Sequence, residues 1–307
     1  VTTPAPRRPW GRTCCGGVLP LYFVALHPAG AVEVVALRTV LTFVFCVIVI
    51  VVIRRGRRVL AVLRDRRMVA WSMLAAVLIS INWHTYVYAS MSGQVVEAAL
   101  GYFLNPIVTV VLGVLLLQER LRLLQWVAVA LCAMAAVVLV FGLGRVPWVA
   151  LVIAGSFGVY GYVKNRMGPR VGALEGLAIE TGWLLPLAAV EIVLVAITSG
   201  LVTFTVSPDH TVAVLLAGVA TGVPLLLFAT AARRLPLSVL GLLQYLSPVL
   251  QFAVGVVVLN EAMPLERWLG FAIVWVALLV LAADQALAKR TTGGGPARLG
   301  EGPPPTV

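Results

Sequence analysis

The chain has 307 residues, 61% of them hydrophobic and only 11% charged, with 23 Lys and Arg against 12 Asp and Glu for a net charge of +11. Soluble domains carry about 25% charged residues, so a water-soluble globule of this composition lacks the polar surface it needs and is excluded. A mean hydropathy of +1.02 fits repeated membrane spans of about 20 apolar residues each.

Apolar runs separated by short basic or turn-like stretches predict ten spans. They cover 13–27, 31–53, 68–88, 95–117, 123–143, 146–163, 174–198, 212–232, 237–259 and 268–286. The first is too short to cross a bilayer and Arg12 borders it; the other nine are long enough. Residues 1–12 form a basic segment, 13–143 a first five-helix unit, 144–286 a second, and 287–307 a Gly- and Pro-rich tail expected to be disordered.

Within the second span stands Arg38, seven residues from its start, or roughly 10 Å at 1.5 Å per residue. A charge at mid-bilayer costs about 2.5–3.5 kcal/mol on insertion scales and marks a functional candidate. The third span ends in Asn82, Trp83, His84, Thr85, Tyr86 and Tyr88, which suits either an aromatic belt at the interface or a wall for a planar solute. In the fourth span Tyr102, Asn105 and Thr109 fall at i, i+3 and i+7 beside Pro106, one polar stripe next to a proline that frees a carbonyl. Gly155 and Gly158 in the sixth span allow close helix approach or a hinge. Glu180 is the buried charge of the seventh span; Glu191 lies about three turns beyond it. The ninth span carries Gln244, Ser247 and Gln251 beside Pro248. Each polar stripe reads as cavity lining or as interhelical hydrogen bonding. Arg38 and Glu180 read as substrate or coupling-ion contacts, or as structural partners for buried polar groups.

These positions are related by one offset. LNPIVTVVLGVLLLQERLRLLQW, from Leu104, aligns without a gap to LSPVLQFAVGVVVLNEAMPLERW, from Leu246, at a separation of 142. The same offset sets Glu33 against Glu175, Thr39 against Thr181 and Arg38 against Glu180. Five helices per unit is an odd number, so the second unit enters the membrane from the other side. The expected architecture is an all-α membrane protein of ten helices in two inverted five-helix repeats, with a binding site between them near the midplane.

Positive charge follows the same plan. Of the 23 basic residues, 14 lie in one set of alternate loops, two (Arg145 and Arg267) in the opposite loops, six in the tails, and Arg38 in a span. Basic loops stay cytoplasmic, which puts both termini inside and removes nucleic acid as the reason for the charge. No metal-ligand spacing, nucleotide-binding loop or hydrolase motif occurs, so no cofactor, metal or catalytic residue is expected. The four cysteines read as small hydrophobes.

VEAALGYFLNPIVTVVLGVLLLQERLRLLQW, INWHTYVYAS, LEGLAIETGWLLP and TGVPLLLFATAARRLPLSVLGLLQYLSPVLQF resemble, in order, stretches of the RarD-type branch of the EamA family in the drug/metabolite transporter superfamily. The resemblance runs from about Leu19 to Asp284. It implies ten helices in the plasma (inner) membrane with cytoplasmic termini, and movement of small organic molecules such as amino acids, metabolites or drugs. One departure is the N-terminus, where TPAPRRPWGRTCC stands in place of an aromatic half-helix; a misassigned start or an upstream frameshift is the expectation. The leading reading is a secondary transporter, exporting or facilitating by alternating access, with room for proton or ion coupling and for a homodimer. The alternative is an integral-membrane enzyme or a lipid-handling protein.

Overall fold

In lipid a backbone N–H or C=O has no water to bond, and a run of Val, Leu, Ala and Ile satisfies both groups within one segment only as a helix. The computed structural model describes residues 14–117, 122–143, 145–168, 171–232 and 246–292, and among them there are helices and short connections but no strand. In chain order these are α1 (Cys14–Ala25), α2 (Ala31–Val52), α3 (Gly56–Arg64), α4 (Arg66–Met91), α5 (Val95–Leu117) and α6 (Leu123–Leu143). There follow α7 (Trp148–Met167), α8 (Ala173–Thr198), α9 (Pro208–Leu215), α10 (Ala217–Ala232), α11 (Leu246–Val258) and α12 (Leu265–Thr292). Six of them, α2, α4, α5, α6, α8 and α12, are long and apolar enough to cross a membrane.

Capping chemistry sets several boundaries. Asp65 Oδ1 accepts from the Arg67 and Met68 N–H groups at 2.9 and 3.3 Å and starts α4. Ser207 Oγ accepts from His210 N at 3.1 Å, and Pro208 follows at the first helical position, so α9 begins there. Gly168, at φ +66°, ends α7 in a conformation open to glycine without a Cβ penalty.

The first span, expected over 13–27 and too short to cross a bilayer, is α1, Cys14–Ala25 among the described residues. Three other predicted boundaries change. The eighth is divided into α9 and α10, because Leu216 N reaches both Val212 O and Ala213 O and tightens the last turn of α9. Of the ninth, only α11 lies within the described residues, and it closes in a π-helical turn at Val254–Val258. The tail expected to be disordered from 287 is helical to Thr292, since Ala286, Leu287, Ala288, Lys289 and Arg290 are all strong helix formers.

Two cores organise the helices. One is built from Phe23, Val34, Val35, Trp83, Tyr86, Ile153, Leu177 and Leu184, joining α1, α2, α4, α7 and α8. The other, with Leu100, Phe103, Ile107, Leu139, Phe271 and Leu281, joins α5, α6 and α12. Between them α5 packs along α7. Gly158 makes that approach close, because a Cβ there would stand 2.5 Å from Val108 Cγ1. Gly155 faces open space instead, so only Gly158 of the predicted glycine pair serves helix contact. Helix α2 packs on α8 and α6 on α12, so positions 142 apart come to lie on adjoining helices.

Candidate functional site

The buried face of α2 carries Glu33, Arg38, Thr39, Thr42 and Cys46, a polar row inside an otherwise apolar helix. Arg38 is 4% exposed. Its guanidinium carbon lies 4.2 Å from the centroid of the Trp83 ring on α4 and 5.3 Å from that of Phe23 on α1. A desolvated cation over an aromatic face gains about 2 kcal/mol, less than the several kcal/mol that burying the charge costs. Its Nε and Nη1 donors are buried and make no hydrogen bond.

Three phenols surround this cation within electrostatic reach, Tyr22, Tyr86 and Tyr102. Tyr22 donates to Ala213 O at 2.5 Å, and Tyr102 donates to Asn82 Oδ1 at 3.1 Å. The Tyr86 hydroxyl is buried, with Ser90 and Tyr102 near it but no partner at hydrogen-bonding geometry. Rings then continue away from Arg38 in a file. Phe23 meets Tyr86 at 6.0 Å, Tyr86 meets Tyr102 at 5.6 Å, Tyr102 meets Phe157 at 5.7 Å, and Phe157 stacks on Tyr160 at 5.9 Å.

At the far end of the file sits Glu180, fully buried on α8. Lys164 Nζ approaches its Oε1 at 2.6 Å and the Tyr160 hydroxyl donates to its Oε2 at 3.0 Å. Arg38 and Glu180 therefore do not neutralise one another. The carboxylate already has its cation from α7, whereas the guanidinium has rings.

The other predicted residues divide. Trp83, Tyr86 and Tyr102 belong to the Arg38 cluster. Asn82, expected to line a cavity, is instead a staple: its Nδ2 donates to Ile153 O and Ser156 Oγ, both at 3.4 Å, while its Oδ1 holds Tyr102. The stripe on α5 splits as well. Asn105 Oδ1 is buried without a partner, beside Gly158 of α7. Thr109 is exposed and donates to Asn105 O within its own helix. Pro106 is half-buried within an unbroken α5, and Pro248 is buried in α11. Gln251 is buried and donates to Ser247 Oγ at 3.3 Å. Gln244 lies outside the described residues.

Three partners were missed by sequence reasoning. Phe23 carried no polar signal. Lys164 was counted with the topology charges, although its place four residues after Tyr160 puts both on one helix face. His84 and Glu191 form a pair, with Nε2 to Oε1 at 2.9 Å and Nδ1 to Ser80 O at 2.8 Å; 107 residues separate them, and no motif links them. Two further acids hold helix ends. Glu97 accepts from Val149 N at 3.1 Å and meets Arg145 at 2.8 Å, a buried cap for α7. Glu261 accepts from Val95 N and Val96 N at 2.6 and 3.0 Å, capping α5 from the other half of the chain. Among the described residues no cluster of His, Cys, Asp or Glu could hold a metal ion.

A multi-pass helical protein with a cation and a carboxylate buried in its spans is the class this fold and site define. The EamA-like transporter family matches residues 13–141. Protein RarD of Streptomyces exfoliatus is 44% identical over 95% of this chain and 90% of its own. An uncharacterized transporter of Bacillus subtilis, YojE, is 37% identical over 90% of this chain and 92% of its own. For protein RarD of Escherichia coli K12 the figures are 35%, 90% and 93%. A crystal structure of a protein superposes with a TM-score of 0.58 at 20% identity, covering 91% of this chain and 96% of that one, a likeness of fold alone. The chain belongs to the RarD-type branch of the EamA family, within the drug/metabolite transporter superfamily. It is a membrane transporter of that type, with a small-molecule substrate and a lipid bilayer around it.

Proposed function

We propose that the protein is a secondary transporter of small organic molecules, an exporter or facilitator, working by alternating access between two inverted five-helix repeats. Arg38 and Glu180 carry this reading. They are 142 residues apart in a chain whose segments align at that offset, both are buried, and their helices pack against each other. Rocking of two related halves about a shared contact exposes the same residues to each face in turn. In this scheme Arg38, with Trp83, Tyr86 and Tyr102, touches the solute. Glu180, held by Lys164, is where a proton or other ion would couple to the movement. Asn105, Ser247 and Gln251 line the path, and Pro106, Pro248 and Gly158 are the places where helices flex or slide.

The excess of basic residues in one set of loops supports a plasma-membrane orientation with both termini cytoplasmic. Flux of a labelled metabolite panel into or out of proteoliposomes is the test. Transport by the wild type, lost in Arg38→Ala and altered in coupling by Glu180→Gln, is the expected result. Absence of flux for every solute sinks the transporter mechanism, and flux untouched by both substitutions sinks the site.

A further inference from the structure

We infer that the Arg38 cluster recognises a monoanion: the solute is a small organic carboxylate whose apolar or aromatic body rests against Trp83, Phe23 and Tyr86. This deepens the transporter reading above and rests on it only for the claim that the bound molecule moves across the membrane.

An arginine side chain keeps its proton inside proteins, so Arg38 is a fixed positive charge, and it is 96% removed from solvent by a relative exposure of 4%. Its guanidinium carbon lies over the rings of Trp83 and Phe23. The rings carry no lone-pair acceptor, and Nε and Nη1 have no hydrogen-bond partner. Three buried carboxylates of the neighbouring helices are hydrogen-bonded elsewhere: Glu33 takes Thr203 N at 2.8 Å, Glu180 takes Lys164 and Tyr160, and Glu97 takes Arg145. Glu175 on α8 makes no hydrogen bond, and its ion pair is with Arg55, at 3.6 Å.

A second donor lies within electrostatic reach of Arg38, the Tyr86 hydroxyl, which is buried without a partner at hydrogen-bonding geometry and whose ring contacts Phe23 and Tyr102. The cluster therefore presents unused donors and a positive charge. A carboxylate is the complement: it is acceptor-only, with two oxygens that can serve a guanidinium and a hydroxyl together. An ammonium or other cation meets like charge at close range and is disfavoured. One guanidinium balances one negative charge, so a doubly charged phosphate would leave the second buried without a counter-charge. Planar or apolar bodies are favoured by the aromatic walls.

The test uses the purified full-length protein in detergent, with thermal unfolding read against benzoate, phenylacetate and N-acetylphenylalanine, each beside its own primary amide. Carboxylates are expected to raise the Tm at concentrations at least about ten-fold below those needed for the amides, the factor that a charge-assisted hydrogen bond supplies. Tyr86→Phe should weaken carboxylate binding about five- to ten-fold, one neutral hydrogen bond, and leave the amides unchanged. Arg38→Lys should keep the preference and Arg38→Gln abolish it. Equal stabilisation by each acid and its amide, stabilisation by neither, or a preference that survives Arg38→Gln overturns the assignment. Flux measured on the same preparation separates the two ideas. Carboxylate binding without flux overturns transport and leaves the anion site, whereas flux of amides with no carboxylate preference overturns the anion site and leaves transport.

Discussion

Arg38 on α2 and Glu180 on α8 occupy positions 142 residues apart on two helices that pack together, yet their surroundings solve the cost of a buried charge in opposite ways. Glu180 is matched from within the chain, by an ammonium at 2.6 Å and a phenol at 3.0 Å. Arg38 has aromatic faces and two donors without acceptors. A completed ion pair is strongly damaged when one partner is removed, while an uncompensated charge can be replaced by an apolar side chain at little cost or with a gain. The contrast teaches that only one of the two charges is neutralised from within the fold.

Removing Lys164 is the harshest way to break this comparison. Lys164→Met leaves Glu180 fully buried with only Tyr160 beside it, and should cost about 3–5 kcal/mol, the range for a buried pair cut at one end. Thermal unfolding in detergent measures it. Lys164→Met combined with Glu180→Gln should recover most of the loss, because the uncompensated charge is gone. Glu180→Gln alone should be milder than Lys164→Met, since the Lys164 side chain is 27% exposed and can turn its ammonium outward.

Next comes the staple that holds the aromatic file. Asn82→Ala removes the acceptor of the Tyr102 hydroxyl and the donor to Ile153 O and Ser156 Oγ. An expected loss of about 1–3 kcal/mol follows from leaving buried polar groups unpaired. Adding Tyr102→Phe should return part of it, since the stranded hydroxyl disappears. If the double variant is no more stable than Asn82→Ala, the link between α4 and α5 does not run through this bond.

How far these relations could be read from sequence follows from their range along the chain. Helices α2, α5, α6 and α8 begin and end within two residues of their predicted limits, because an apolar run bounded by Gly30, Gly172 or arginines is a local signal. Arg38 and Glu180 were visible for the same reason: a charge inside such a run is rare. Their partners were not. Trp83 lies 45 residues from Arg38 in sequence, in a stretch whose aromatic residues suit a membrane interface equally well, and only packing decides between the two. Lys164 looked like one more cytoplasmic charge until α7 was laid beside α8. Asn82 and Thr109 were read as cavity lining from polarity alone, but polarity does not fix direction. Asn82 turns into the α4–α7 contact and Thr109 turns outward.

Arg38→Met is the smallest expected change in stability, and it sharpens the comparison most. Methionine fills much of the same length with a polarizable, flexible side chain that packs well against rings. It removes the charge, the two orphaned donors and the contact of the cation with Trp83 and Phe23 together. The lost contacts with the two rings are worth about 2 kcal/mol each, and relief of the several kcal/mol that the buried charge costs offsets most of that sum. Unfolding should therefore shift by no more than about 1 kcal/mol in either direction, while flux of the transported solute is lost. A fall as large as that of Lys164→Met would mean that Arg38 is held by a partner as firmly as Glu180 is, and the two positions would then differ only in sign.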